Sequence, residues 1–185
     1  MIETVQKVPV RVGIEQVWVY VKDIRRWAQL VPGLQDCEII DENNSRWVLK
    51  VGVGGLVRTV KVSVSVDQWD GPEQVLFSFK LEGDPVQGGG SYLATATSAD
   101  AIGMTLSLRV EGSGPMAPMW EAMGGPLLPK FALAFAEQLA EGIEAEYAGA
   151  VPDGTRPQLA DRPKQGPFAL LIWLWRALFG RRRKV

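Results

Sequence analysis

Histidine is absent from the 185 residues, and cysteine occurs once, as Cys37. Without histidine there is no Ser-His or Cys-His nucleophile pair, no imidazole metal ligand, and no ordinary general base near neutral pH. One cysteine excludes a disulfide within the chain and a thiolate metal cluster built from one chain. Cys37 stands in the strand-like stretch LQDCEIID and reads as a buried, inert thiol. Also missing is an unbroken apolar run of the roughly 20 residues that a spanning helix needs. Gly88-Gly89-Gly90 has no following helix and no Lys-Ser/Thr pair, so it is not a phosphate loop. Carboxylates are plentiful but none pair convincingly. Glu137, Glu141 and Glu144 read as the solvated face of a helix. No constellation rises to a catalytic site, and no metal or cofactor is expected.

What is there is concentrated at one end. Residues 167–185, PFALLIWLWRALFGRRRKV, place Phe168, Leu170, Leu171, Ile172, Trp173, Leu174, Trp175, Leu178 and Phe179 beyond a Pro/Gly-rich stretch. Burying each such side chain is worth roughly 1.5–3 kcal/mol, so the segment needs an apolar partner. Arg181, Arg182, Arg183 and Lys184 follow at once. An aromatic, apolar stretch beside clustered cations suits the interface of an anionic membrane. From Phe168 to Phe179 a helix would reach only about 18 Å at about 1.5 Å per residue. It is too short to span, and Arg176 interrupts it. The expectation is a monotopic anchor; the competing reading is a terminal helix docked in a groove of this protein or of another subunit.

Charge divides the chain in the same way. Residues 1–150 carry 12 Lys/Arg and 19 Asp/Glu, net −7, whereas residues 151–185 carry 8 and 2, net +6. An acidic body with a basic tail argues against nucleic-acid binding and fits a body tethered to an anionic surface. Met1-Ile2-Glu3-Thr4 leads straight into an alternating strand rather than a signal peptide. The expected location is therefore cytoplasmic, on the inner face of the cell membrane.

Periodicity orders the body. Thr4–Val10 reads as a strand, and IEQVWVYVKDI follows with Val17, Trp18, Val21 and Ile24 at helical spacing. Asp23 is placed to cap a second short helix, IRRWAQL, which Pro32-Gly33 ends. Six strand-like stretches come next: Leu34–Asp41, Ser45–Val53, Leu56–Trp69, Gln74–Glu82, Ser91–Ala99 and Ile102–Glu111. Their breaks, including Asp70-Gly71-Pro72 and the stretch from Gly83-Asp84-Pro85 to Gly88-Gly89-Gly90, are turn signals. Short breaks imply antiparallel hairpins. Val60, Val62, Val64 and Val66 alternate with polar residues, as do Phe77, Phe79 and Leu81, and Met104, Leu106, Leu108 and Val110. One face is apolar and needs a cover. Pro118–Ala148 supplies it as a helix, expected to break or kink near Gly124-Gly125-Pro126 and Pro129. Its apolar side is expected to hold Phe131, Leu133, Ala134, Phe135, Leu139, Ile143 and Tyr147. The predicted domains are 1–148, a linker at 149–166 and an anchoring tail at 167–185. The predicted class is α+β: a seven-stranded antiparallel sheet wrapped around a long C-terminal helix.

This order, with Val17-Trp18, Asp23 and Trp27, Pro32-Gly33, Val51-Gly52-Val53-Gly54 and Glu111-Gly112-Ser113-Gly114, resembles the helix-grip (START-like) superfamily. Within it, residues 3–148 are most similar to the CoxG-like family associated with carbon monoxide dehydrogenase. A tethered apolar C-terminal helix is also similar to a feature of some members. The resemblance implies a hydrophobic cavity between sheet and long helix, holding a lipid-like ligand. It further implies recruitment of a molybdenum-containing dehydrogenase to the membrane, or supply of a quinone to it.

Candidate ligand-binding residues are Trp27, Arg58, Val60, Val62, Phe77, Phe79, Met104, Leu106, Trp120, Met123, Leu127 and Phe131. Met116, Met119 and Met123 cluster with Trp120 near the Gly-Gly-Pro sequence, and methionine adapts to irregular apolar shapes. Ordinary core filling is the competing reading for that cluster, as it is for Trp27, Trp47 and Trp69. Arg58 shares the parity of Val60 and Val62 and would face the cavity, where it would meet a carbonyl or carboxylate; otherwise it is a strand-end cation in water. Candidate membrane-binding residues are Phe168, Leu171, Ile172, Trp173, Trp175, Phe179, Arg181, Arg182, Arg183 and Lys184. The first reading is a non-enzymatic carrier or recruiter, with a quinone-like ligand and a molybdenum hydroxylase-type partner docked on the acidic body. The second is a polyketide cyclase-like enzyme using Arg58, Tyr92 and Asp84. The third is a ligand-free assembly factor with a filled core.

Overall fold

The computed structural model describes residues 1–53 and 56–148. The predicted linker and tail, with every membrane-binding candidate from Phe168 to Lys184, lie outside the described residues. Strand β1 (Ile2–Val10) leads into helices α1 (Ile14–Val21) and α2 (Ile24–Ala28). Strands β2 (Leu34–Ile39), β3 (Asn44–Val53), β4 (Leu56–Asp70), β5 (Gln74–Leu81), β6 (Val86–Ser98) and β7 (Ala101–Gly112) follow. A short 3-10 turn, Gly114–Met116, then opens helix α3 (Ala117–Tyr147).

The seven strands form one antiparallel sheet in the order β1-β7-β6-β5-β4-β3-β2. This is the single antiparallel sheet that the order of strands predicts, and the helix-grip arrangement that the resemblance implies. Asp23 caps α2 by accepting the Arg25 N–H at 3.0 Å. Gly33 adopts φ +84°, a conformation costly for other residues, and so turns the chain from α2 into β2. Strand β4 carries a bulge between Val66 and Gln68. The bulge switches parity, so that Trp69 rather than Gln68 shares the inner face with Val66.

Two expectations fail instructively. The sequence Gly88-Gly89-Gly90 reads as a turn, yet it lies inside β6, which starts at Val86. The cause is cross-strand: Phe79 pairs with Gly88, and Phe77 pairs with Gly90. Their rings occupy the space that β-carbons at those glycines would need. Helix α3, expected to break or kink near its prolines, does not break: it runs through both Pro126 and Pro129. Each proline removes a backbone hydrogen bond, but Leu128 and Phe131 pack on the core around them and offset the loss.

The inner stripe of α3 also differs from expectation. Ala132, Phe135, Ala136, Leu139, Ala140 and Ile143 are buried, whereas Leu133 is 40% exposed. Alanines at these positions let α3 lie close along β1 and β7, the two strands against which it packs. Ile102, Met104, Leu106 and Ile143 are among the largest fully buried side chains of the core. Each contributes roughly 1.5–3 kcal/mol. Strands β3 to β5 lack this close cover, and the site lies over them.

Candidate functional site

A cavity of about 560 Å³ opens between α3 and the concave face of the sheet. That volume falls within the roughly 300–1,000 Å³ of small-molecule sites. Every layer of the domain contributes to its wall. Trp47, Leu49 and Val51 come from β3, and Val60, Val62, Val64 and Trp69 from β4. Val75, Phe77, Phe79 and Leu81 come from β5, and Leu106, Leu108 and Val110 from β7. Val21 and Trp27 close one side, and Trp120, Leu127, Leu128, Phe131, Phe135 and Leu139 of the long helix form the roof. Strand alternation explains the apolar wall: the inward positions are mostly Val, Leu or aromatic residues, and their outward neighbours are mostly polar.

Ten of the twelve ligand-binding candidates meet at this cavity: Trp27, Arg58, Val60, Val62, Phe77, Phe79, Leu106, Trp120, Leu127 and Phe131. Met104 does not. It has the expected parity but is fully buried in the packed core, so it has no surface to offer. The side chain of Met123, like those of Met116 and Met119, lies outside the described residues. Trp47, Trp69, Tyr92 and the roof residues Leu128, Phe135 and Leu139 line the wall without belonging to the candidate set. Helical spacing from Leu128 to Phe135 and Leu139 carried that signal in part.

Three indoles of the wall are held by the protein itself. Trp27 donates to the Val21 carbonyl at 3.0 Å, Trp47 to Ser45 Oγ at 2.9 Å and Trp69 to Asn43 Oδ1 at 2.8 Å. Trp27 meets Trp47 edge to face, with centroids 5.6 Å apart. Such aromatic walls suit an apolar ligand rather than water.

Two polar groups interrupt the apolar lining. Arg58 stands at the exposed start of β4 and pairs with Asp84 of the β5–β6 turn, Nη2 to Oδ2 2.9 Å. Its side chain is 59% exposed, and that of Asp84 only 13%. The arginine is therefore a rim residue already holding a carboxylate, rather than a free cation inside. Tyr92 is the second group. It is 4% exposed, and its hydroxyl has no hydrogen-bond partner among the described residues. Burial pushes its phenol up, so it stays protonated. Cys37 is half-buried beside Trp47 of the adjacent strand. Burial, and after it the nearby Asp36, push its thiol up, which leaves little thiolate for chemistry.

The arrangement can enclose an apolar molecule and offer it few polar contacts. An open interior is not the filled core that an assembly factor without ligand requires. Residues 1–148 match the family described as polyketide cyclase/dehydrase and lipid transport. The chain belongs to this family. No curated protein matches the sequence. Among solved structures, a conserved protein from Geobacillus kaustophilus superposes with a TM-score of 0.68 at 18% identity, covering 79% of this chain and 97% of that one. A START superfamily protein from Mycobacterium smegmatis gives 0.58 at 17% identity, covering 80% and 99%. The Zhui aromatase/cyclase from Streptomyces also gives 0.58 at 17%, covering 80% and 96%. At these identities the likeness establishes the START-like fold alone. Among the described residues no helix is long and apolar enough to cross a membrane.

Proposed function

We propose that this chain is a membrane-tethered carrier of a quinone-like lipophilic molecule, of the CoxG type. It is not an enzyme. It recruits a molybdenum-containing dehydrogenase to the inner leaflet or supplies it with quinone. The observation that carries this reading is the apolar cavity of about 560 Å³. Protein interiors are otherwise close-packed, so an unfilled apolar space of this size is best accounted for by a guest. The family description, which includes lipid transport, agrees with a carried ligand. The basic, aromatic sequence of residues 167–185 supports delivery at an anionic surface. The net charge of −7 on residues 1–150 supports electrostatic attraction of a basic partner protein.

A cyclase-like enzyme is the second reading, and one observation favours it: Arg58 and Tyr92 line the cavity, with Asp84 held by Arg58. The arrangement is poor for acid–base work. Arg58 is engaged by a carboxylate, and a phenol with a raised pKa is a weak acid that stays protonated.

The test is mass spectrometry of an organic extract of full-length protein purified gently from membranes. A stoichiometric quinone supports the carrier. An empty or heterogeneous extract leaves recruitment through the tail as the function and removes the cavity from it.

A further inference from the structure

Among the buried polar groups on the cavity wall, Tyr92 stands apart. The indole N–H groups of Trp27, Trp47 and Trp69 each reach an acceptor supplied by the protein. The guanidinium of Arg58 has Asp84. The Tyr92 hydroxyl has no partner among the described residues, although the residue is only 4% exposed. A buried hydroxyl without a partner is costly, and a phenylalanine would fill the same space without that cost. The fold satisfies these three indoles and leaves this deeply buried phenol without a partner among the described residues.

Its surroundings define what would satisfy it. Tyr92 pairs across the sheet with Val75 on one side and Leu106 on the other. Val75 in turn pairs with Trp69, at the far end of β4 from Arg58. Arg58, the one ionisable lining residue besides the tyrosine among the described residues, is therefore remote from it and already paired. A carboxylate or phosphate placed at Tyr92 would be buried without a counter-charge, which is prohibitive in an apolar cavity. A neutral acceptor carries no such penalty. A protonated phenol donates to it.

We propose that Tyr92 is a recognition residue that donates a hydrogen bond to an uncharged carbonyl oxygen of an otherwise apolar ligand. The ligand class is thus a long-chain quinone, ketone or ester, with its carbonyl seated between β5, β6 and β7. A free fatty acid with its carboxylate at this end is excluded. This deepens the carrier reading and rests on it.

The test compares two probes of equal shape on the full-length chain: a 2-alkyl-1,4-naphthoquinone and the 2-alkylnaphthalene with the same chain. Both are read by displacement of one bound apolar fluorophore. Wild type is expected to prefer the quinone by roughly fivefold, the worth of one net hydrogen bond. Tyr92→Phe is expected to lose that preference, keep its affinity for the naphthalene, and unfold at no lower temperature when empty. A preference that survives in Tyr92→Phe overturns the proposal, as does equal loss of both probes by a folded variant. If wild type binds neither probe, the carrier reading itself fails and takes this inference with it. Binding of both with an unchanged ratio sinks only the role of Tyr92.

Discussion

The ring of Phe77 lies over Gly90, its Cζ 2.9 Å from the point that a β-carbon there would occupy. The Ser107 carbonyl of β7 crowds the same point. Gly90→Ala must therefore displace an aromatic wall residue and a neighbouring strand together. The expected cost is about 1–3 kcal/mol, typical of forcing extra volume into a packed region. Gly125→Ala makes the contrast. It sits in α3 with nothing within 4 Å of its missing β-carbon. There the helix gains roughly 0.8–1.0 kcal/mol from alanine. Thermal unfolding of the two variants should move in opposite directions, and a stable Gly90→Ala would show that Phe77 is free to leave the wall.

The same pair of residues marks the limit of what the sequence reveals. Alternation is a local signal, so the inward Val60, Val62, Val64 and Val66 of β4, and Phe77 and Phe79 of β5, are legible from the chain alone. The register of β5 against β6 is not local. Nothing in GGG says that two phenylalanines will lie across it, so the start of β6 is missed. Bulges act likewise: the irregularity at Val66/Gln68 brings Trp69 inward by a shift no periodicity shows. Met104 has the right parity but is fully buried in the core, and only tertiary packing decides between core and cavity. Tyr92 illustrates the last step. Its place in a strand is readable, whereas the lack of a partner for its hydroxyl among the described residues exists only in three dimensions.

Acid should loosen the grip of α3 at its C-terminal end. Glu144 accepts the Arg11 backbone N–H at 2.8 Å and pairs with its guanidinium, Nη2 to Oε2 3.2 Å. Burial alone would raise the Glu144 carboxyl, but the Arg11 hydrogen bonds and charge outweigh it and hold the group below its ordinary value of 4.5. A carboxylate whose folded pKa is depressed stabilises fully above its unfolded pKa and loses that contribution as pH falls through the folded value. Glu144→Gln should therefore unfold at a lower temperature than wild type at pH 7. The gap should narrow below about pH 4.5. A gap that stays constant down to strongly acidic pH would show that Arg11 and Glu144 contribute no pH-linked stability.

Filling the cavity should separate stability from binding. Val62 is 4% exposed, lies on β4 and faces the open space rather than α3. Val62→Phe adds apolar volume where none is packed. Cavity filling commonly adds about 0.5–2 kcal/mol, so the empty protein should unfold at a higher temperature. Affinity for an alkylnaphthoquinone should fall at the same time, because ring and ligand compete for the same volume. Higher stability with unchanged affinity would place the ligand elsewhere. Lower stability would mean that the space is already occupied by side chains in solution.

The tail supplies the clearest charge argument. Residues 151–185 carry net +6 against −7 for residues 1–150, so an anionic bilayer attracts one segment and repels the other. Each lysine or arginine near such a surface contributes about 1 kcal/mol, screened within a Debye length. Replacing Arg181, Arg182, Arg183 and Lys184 with glutamine should thus weaken binding to anionic liposomes by roughly 4 kcal/mol at most. It should also flatten the salt dependence. Deleting residues 167–185 removes the apolar side chains as well and should release the protein altogether. Cosedimentation with phosphatidylserine-containing vesicles measures both. Should the truncated chain cosediment as well as the full chain, the membrane contact belongs to the acidic body, against its own charge, and the anchor is lost as an explanation. Should the glutamine variant bind as well as wild type and at any salt, the apolar face of the tail alone accounts for the attachment.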